Sequence, residues 1–154
     1  MVSTRPHQDA SATPTIAAGE RLLIDTFYVQ AVLNPDDAYH ARAVALAPRI
    51  ETATHTVITE AVLTEIGDAL SDKDRAAAVD FVRACYETHN MTVVPVTTAL
   101  LSRALDRYQS RPDKTWGLTD CISFIVMEEF ELTLAATGDR HFTQAGFDAL
   151  LTND

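Results

Sequence analysis

Four short apolar runs, the first three followed by residues of helical periodicity, constrain this chain more than any other feature. They are "RLLIDT" from Arg21, "HTVIT" from His55, "MTVVPV" from Met91 and "LTLAAT" from Leu132. Runs this short and this uniformly apolar read as strands buried on both faces, which occur in parallel sheets covered by crossover helices. The intervening stretches supply those helices. One is expected from about Thr26 to Leu33, and a second over Ala38 to Leu46, closed by Pro48. Val62, Leu63, Ile66 and Leu70 trace a third apolar stripe, with Glu65 beside it. Further helices are expected over Asp72 to His89, Ala99 to Ser110, and in "WGLTDCISFIVMEEF". Pro95 places its missing N–H at the end or edge of its strand. The expected architecture is α/β, a mostly parallel central sheet between two helical layers, with ligands gathering at the carboxyl ends of the strands.

At 154 residues the chain is long enough for one core without disulfides or structural metal. Cys85 and Cys121 sit in apolar helical stretches and read as small buried hydrophobes. Residues 1–20, rich in Ser, Thr, Pro and Ala without periodicity, read as a flexible N-terminal extension, and residues 21–150 as the folded domain. The extension has no continuous apolar segment, and no run is long enough to span a membrane, so a cytoplasmic location is expected. A formal net charge of −10 repels polyanions as a whole. Any bound nucleic acid must be held by a local basic patch or by metal ions.

The acids are placed more pointedly than the total charge suggests. Asp25 ends the first strand, Asp139 follows the fourth, and Asp120 opens a helix expected to pack between them. Glu65 lies one turn into the helix after the second strand. If these four converge, mutual repulsion raises their pKa values, and a divalent cation is the usual remedy. All-oxygen ligands select Mg²⁺ or Mn²⁺, whose chemistry suits phosphodiester hydrolysis. The competing account is local: acids at strand ends and helix starts also act as caps and complement the helix dipole.

The segments "LLIDT", "TEAVLTEIGDAL", "WGLTDCISFIVMEE" and "TGDRHFTQAGF", in this order and spacing, resemble the PIN-domain ribonucleases, most closely the VapC toxins of bacterial type II toxin–antitoxin systems. The resemblance covers about Arg21 to Leu150. It implies a PIN-like three-layer α/β/α fold and a metal-dependent endoribonuclease. It places the family's acidic quartet on Asp25, Glu65, Asp120 and Asp139, with Asp25 and Asp120 as the chief ligands of Mg²⁺ or Mn²⁺. It also implies an RNA substrate, a homodimer, and a cognate antitoxin whose tail enters the active site. Two departures stand out: Gly138 occupies a position where many relatives carry a bulky aromatic, and the N-terminal extension has no counterpart in the short toxins.

Other residues carry weaker signals. Thr26 and Thr119 adjoin two of the acids and could orient a carboxylate, although Thr119, just before the motif helix, also reads as its cap. Arg103, Arg107 and Arg111, at four-residue intervals with Lys114 beyond, form a basic stripe directed at the Asp120 loop. That stripe reads equally as an RNA phosphate track or as cations favoured near a helix C-terminus. Arg140 and His141 directly follow Asp139, where either could touch RNA or His141 could simply pack. Glu60, Asp68, Glu128 and Glu129 fall off the apolar stripes and read as solvent-facing. The alternative function is a catalytically silent PIN-fold module that binds other proteins; retention of all four acids argues against it.

Overall fold

The structure, a computed structural model, describes residues 19–152; the greater part of the extension read from the sequence lies outside the described residues. Strand β1 (Arg21–Ile24) leads into α1 (Thr26–Leu33) and α2 (His40–Glu51). Strand β2 (His55–Thr59) is followed by α3 (Glu60–Ala69) and α4 (Arg75–Glu87), and β3 (Met91–Val94) by α5 (Thr98–Ser110) and α6 (Leu118–Glu129). Then come β4 (Leu134–Ala136), α7 (Arg140–Gln144) and β5 (Asp148–Ala149). The strands lie in the order β3-β2-β1-β4-β5, and every pairing is parallel.

Successive β1 residues point to opposite faces, as a pleated strand requires, and so divide the core. Leu22 and Ile24 pack with Tyr28, Val29, Val62 and Ile66, under α1 to α4. Leu23 packs with Leu100, Ala104, Phe124 and Phe142, under α5 to α7. Three layers result. Several helices start on a side chain that accepts a backbone N–H: Thr59 from Val62, Asp74 from Ala77 and Thr97 from Leu100. Each removes one of the donors orphaned at a helix start.

Two expectations are corrected, and two short elements are added. Helix α2 does not stop at Pro48 but runs to Glu51 with the proline inside it. Only one helical bond is lost there, to the carbonyl of Val44 on the exposed side, and Thr52 N–H resumes the ladder to Pro48 at 3.1 Å. Helix α4 begins at Arg75, after its Asp74 cap, not at Asp72. The segment after Asp139, for which no element was expected, forms a short helix and an edge strand, which makes β4 an interior strand. At the opposite edge, Pro95 falls just beyond β3.

Candidate active site

Topology brings the first and fourth acids together. Strands β1 and β4 are neighbours, with Ile24 opposite Ala136, so the residues leaving their carboxyl ends share one edge of the sheet. Asp25 stands at the N-cap of α1, yet its side chain makes no capping bond. Its Oδ2 instead accepts from the hydroxyl of Thr137 at 2.7 Å. That hydroxyl also accepts the backbone N–H of Asp139 at 3.0 Å, so one buried threonine ties both acids. Asp25 is 5% exposed. Burial pushes its carboxyl up from 3.8 to about 7, against the lowering effect of the Thr137 bond and with added repulsion from Asp120 and Asp139.

Asp120 comes from the first turn of α6. Its Oδ2 accepts the backbone N–H of Gly117 at 3.0 Å and lies 3.0 Å from Nδ1 of His141. The helix-start account of Asp120 is therefore physically real, and the same oxygen also faces the site. Burial raises its pKa, opposed by Gly117 N–H and His141, with Asp139 adding repulsion. Asp139 caps α7 by accepting His141 N–H at 2.9 Å, and His141 Nδ1 lies 3.4 Å from its Oδ1. Asp120, Asp139 and His141 offer ligand atoms that all lie within 4.8 Å of one another.

Glu65 stands apart from this cluster. It is exposed, and its Oε1 accepts the Thr26 hydroxyl at 2.7 Å. It lines a groove of about 390 Å³ together with Ala61, Thr64, Val96 and Thr119. The Thr26 hydroxyl thus serves the second acid of the quartet. Thr119 is not a cap: α6 begins at Leu118 with Gly117 as its N-cap residue, which leaves the Thr119 side chain to line the groove.

The basic stripe is paired along its length. Arg103 meets Glu129, Arg107 meets Glu128 at 2.9 Å, and Arg111 meets Asp113 at 2.9 Å. The stripe is therefore a row of ion pairs rather than of free cations. Arg140 is exposed beside Asp139. Gly138 is explained by space: a Cβ there would lie 2.5 Å from the ring of Phe27. Helix α1 thus contributes the aromatic that relatives were expected to place at residue 138, and Phe27 in turn packs edge-on against Tyr39.

Thr137, His141 and Thr115 complete the site, and the sequence did not single out Thr137 or Thr115. Thr137 read as the end of a strand, and only the pairing of β4 with β1 puts it against Asp25. His141 had been weighed as packing or as an RNA contact.

Among the described residues, no lysine or arginine pairs with Asp25, Asp120 or Asp139; His141 is the one cationisable partner. Clustered carboxylates without a counter-cation form a donor set that fits a divalent metal ion.

The fold is an all-parallel sheet between two helical layers, with carboxylates gathered at its carboxyl edge. The chain belongs to the PIN-domain family, whose model matches residues 18–148. Three solved structures share the fold. VapC20 of Mycobacterium tuberculosis, described as a sarcin-ricin loop cleaving toxin, is 24% identical, with 82% of this chain and 96% of that chain covered and a TM-score of 0.74. FitAcB from Neisseria gonorrhoeae is 15% identical over 86% of this chain and 96% of that one, at 0.56. VapBC2 from Rickettsia felis, bound to a DNA fragment from its promoter, is 13% identical over 81% and 92%, at 0.53. At these identities the likeness establishes the fold. A search of curated protein sequences returns no match. No described helix is long and apolar enough to cross a membrane.

Proposed function

We propose that this protein is a metal-dependent endoribonuclease that acts in the cytoplasm as a homodimeric toxin opposed by a cognate antitoxin. The observation that carries the reading is the buried Asp25 beside the half-buried Asp120 and Asp139, where burial and then repulsion raise the pKa values of the first two without a compensating lysine or arginine among the described residues. The description of VapC20 as a toxin that cleaves the sarcin-ricin loop supports RNA as the substrate. The VapBC2 likeness supports a toxin–antitoxin setting.

In this reading Asp25 and Asp120 are the principal ligands of Mg²⁺ or Mn²⁺, and Asp139 and Glu65 complete the site. The bound cation would acidify a water and neutralise charge developing on a phosphoryl oxygen. The chain's own residues do the positioning. Thr137 fixes Asp25 and Asp139 in one arrangement, and Gly117 N–H fixes Asp120. Glu65, oriented by Thr26, presents a carboxylate on the open groove and would orient the attacking water. Thr119 lines that groove where RNA would pass. Arg140 would meet a phosphate. Exposed ion pairs contribute only about 0.2–1 kcal/mol, so phosphates can displace the partners of Arg103, Arg107 and Arg111. A cleft of about 400 Å³ beyond them, lined by Tyr108, Arg111, Lys114 and Trp116, offers aromatic and cationic groups to a single strand.

The test is cleavage of single-stranded RNA by the purified protein with Mg²⁺ or Mn²⁺, against EDTA and against Asp120→Asn. Cleavage that needs the ion and fails in the folded variant supports the reading. No cleavage by a folded, metal-loaded parent favours the silent binding module.

A further inference from the structure

We infer that His141 is a nitrogen ligand of the cation held by Asp120 and Asp139, and that this ligand makes the site favour Mn²⁺ over Mg²⁺. The inference rests on the metal-dependent reading above and concerns which atoms hold the ion.

The distances suit it. Adjacent ligands of an octahedral ion bonded at about 2.1 Å stand about 3 Å apart. His141 Nδ1 lies 3.0 Å from Asp120 Oδ2 and 3.4 Å from Asp139 Oδ1. The ring is also fixed from both ends. Its backbone N–H is held by Asp139 at 2.9 Å, and Phe142, the next residue, is fully buried in the core.

The second ring nitrogen supplies the chemical argument. A ligand nitrogen must present a lone pair, so its proton must reside on the other nitrogen, and metal-bound histidines usually donate that N–H to a fixed acceptor. Nε2 lies 3.2 Å from the hydroxyl of Thr115. A hydroxyl both donates and accepts. Without an ion, Nδ1–H donates to Asp120 and Thr115 donates to Nε2. With an ion, Nε2–H donates to Thr115 and Nδ1 is free to bind. Thr115 satisfies either tautomer, so the ring changes role without moving. Mg²⁺ prefers oxygen ligands and gives up water reluctantly, whereas Mn²⁺, which also takes oxygen ligands, accepts an imidazole nitrogen more readily than Mg²⁺ does. A nitrogen at this place therefore favours Mn²⁺.

The experiment uses the full chain loaded with Mn²⁺. Pulsed electron paramagnetic resonance should show coupling to a directly bonded imidazole nitrogen, and His141→Gln should abolish it. Calorimetry should show the Mn²⁺ dissociation constant rising roughly ten- to a hundredfold in His141→Gln, with a much smaller change for Mg²⁺. Thr115→Val, at an exposed position, guards against a misfolded histidine variant and should narrow the Mn²⁺ to Mg²⁺ ratio in the same direction. Mn²⁺ bound without nitrogen coupling, or a ratio unchanged in both variants, overturns the inference and leaves the metal-dependent reading standing. Failure of the folded parent to bind either ion overturns both.

Discussion

Asp25→Asn should stabilise the metal-free protein at neutral and alkaline pH. The Asp25 carboxyl is pushed from 3.8 to about 7, so between these values the folded state holds a proton that the unfolded chain has released. Stability is then fully present below about pH 4, falls as pH rises, and levels off above about pH 7. A gap of about three pH units, at about 1.4 kcal/mol each, corresponds to about 4 kcal/mol. Asparagine carries no charge to desolvate, and its oxygen can still accept the Thr137 hydroxyl. For a chain of this size the gain corresponds to about 8–16 °C in melting temperature. The assay is thermal melting of parent and variant in EDTA from pH 4 to 8, where the difference between the two curves isolates Asp25 from every other acid. Adding Mg²⁺ at one hundred times its dissociation constant should return about 2.7 kcal/mol to the parent and less to the variant. A difference curve that is flat from pH 4 to 7, or a variant less stable than the parent at pH 8, would refute the account of Asp25 as a destabilised buried charge.

Asp120→Asn should retain the fold and lose metal-dependent RNA cleavage; a folded variant cutting at the parent's rate sinks the assignment. Thr137→Val leaves buried Asp25 without its donor and Asp139 N–H without its acceptor, and should cost about 1–3 kcal/mol in urea unfolding. It should also raise the Asp25 pKa further, since the lost bond favoured the charged form. Gly138→Ala drives a methyl into Phe27 and should cost about 1–3 kcal/mol, recovered in large part by adding Phe27→Leu; no recovery in the double variant would place the strain elsewhere. Replacing Arg103, Arg107 and Arg111 together should lower the salt slope of RNA binding by about 2, at roughly 0.7 per phosphate contact on a single strand; an unchanged slope would leave the three as structural ion pairs.

The sheet was legible because its strands are short, apolar on both faces and separated by helical stretches, a pattern with few other solutions. Thr26–Leu33 and His55–Thr59 fall where the pattern put them. What failed was local. Pro48 was read as a stop because proline in a helix interior usually is one, but near the last turn it forfeits only the Val44 bond. The cap offered as one reading of Thr119 rested on threonine's preference for that position, while Gly117 takes it and Asp120 reaches back to satisfy the first N–H. Strand β5 is two residues long and leaves too little periodicity to detect.

The partners of the acids were illegible for a deeper reason. Thr137 meets Asp25 across 112 positions of sequence, and nothing local distinguishes it from any polar residue closing a strand. Cap and ligand were posed as rival roles for these aspartates, yet Asp120 holds Gly117 N–H while facing His141, and Asp139 caps α7 while closing the same cluster. A cap fixes a carboxylate by one oxygen or one lone pair and leaves the remainder for other partners, so the two roles coexist at little cost. The presence of a cap therefore decides nothing. Asp25 discriminates, because it occupies a cap position, makes no cap, and is buried against two other acids. Burial in that arrangement outweighs what the helix start offers a carboxylate, and the chain retains an unfavourable charge that a bound cation would relieve.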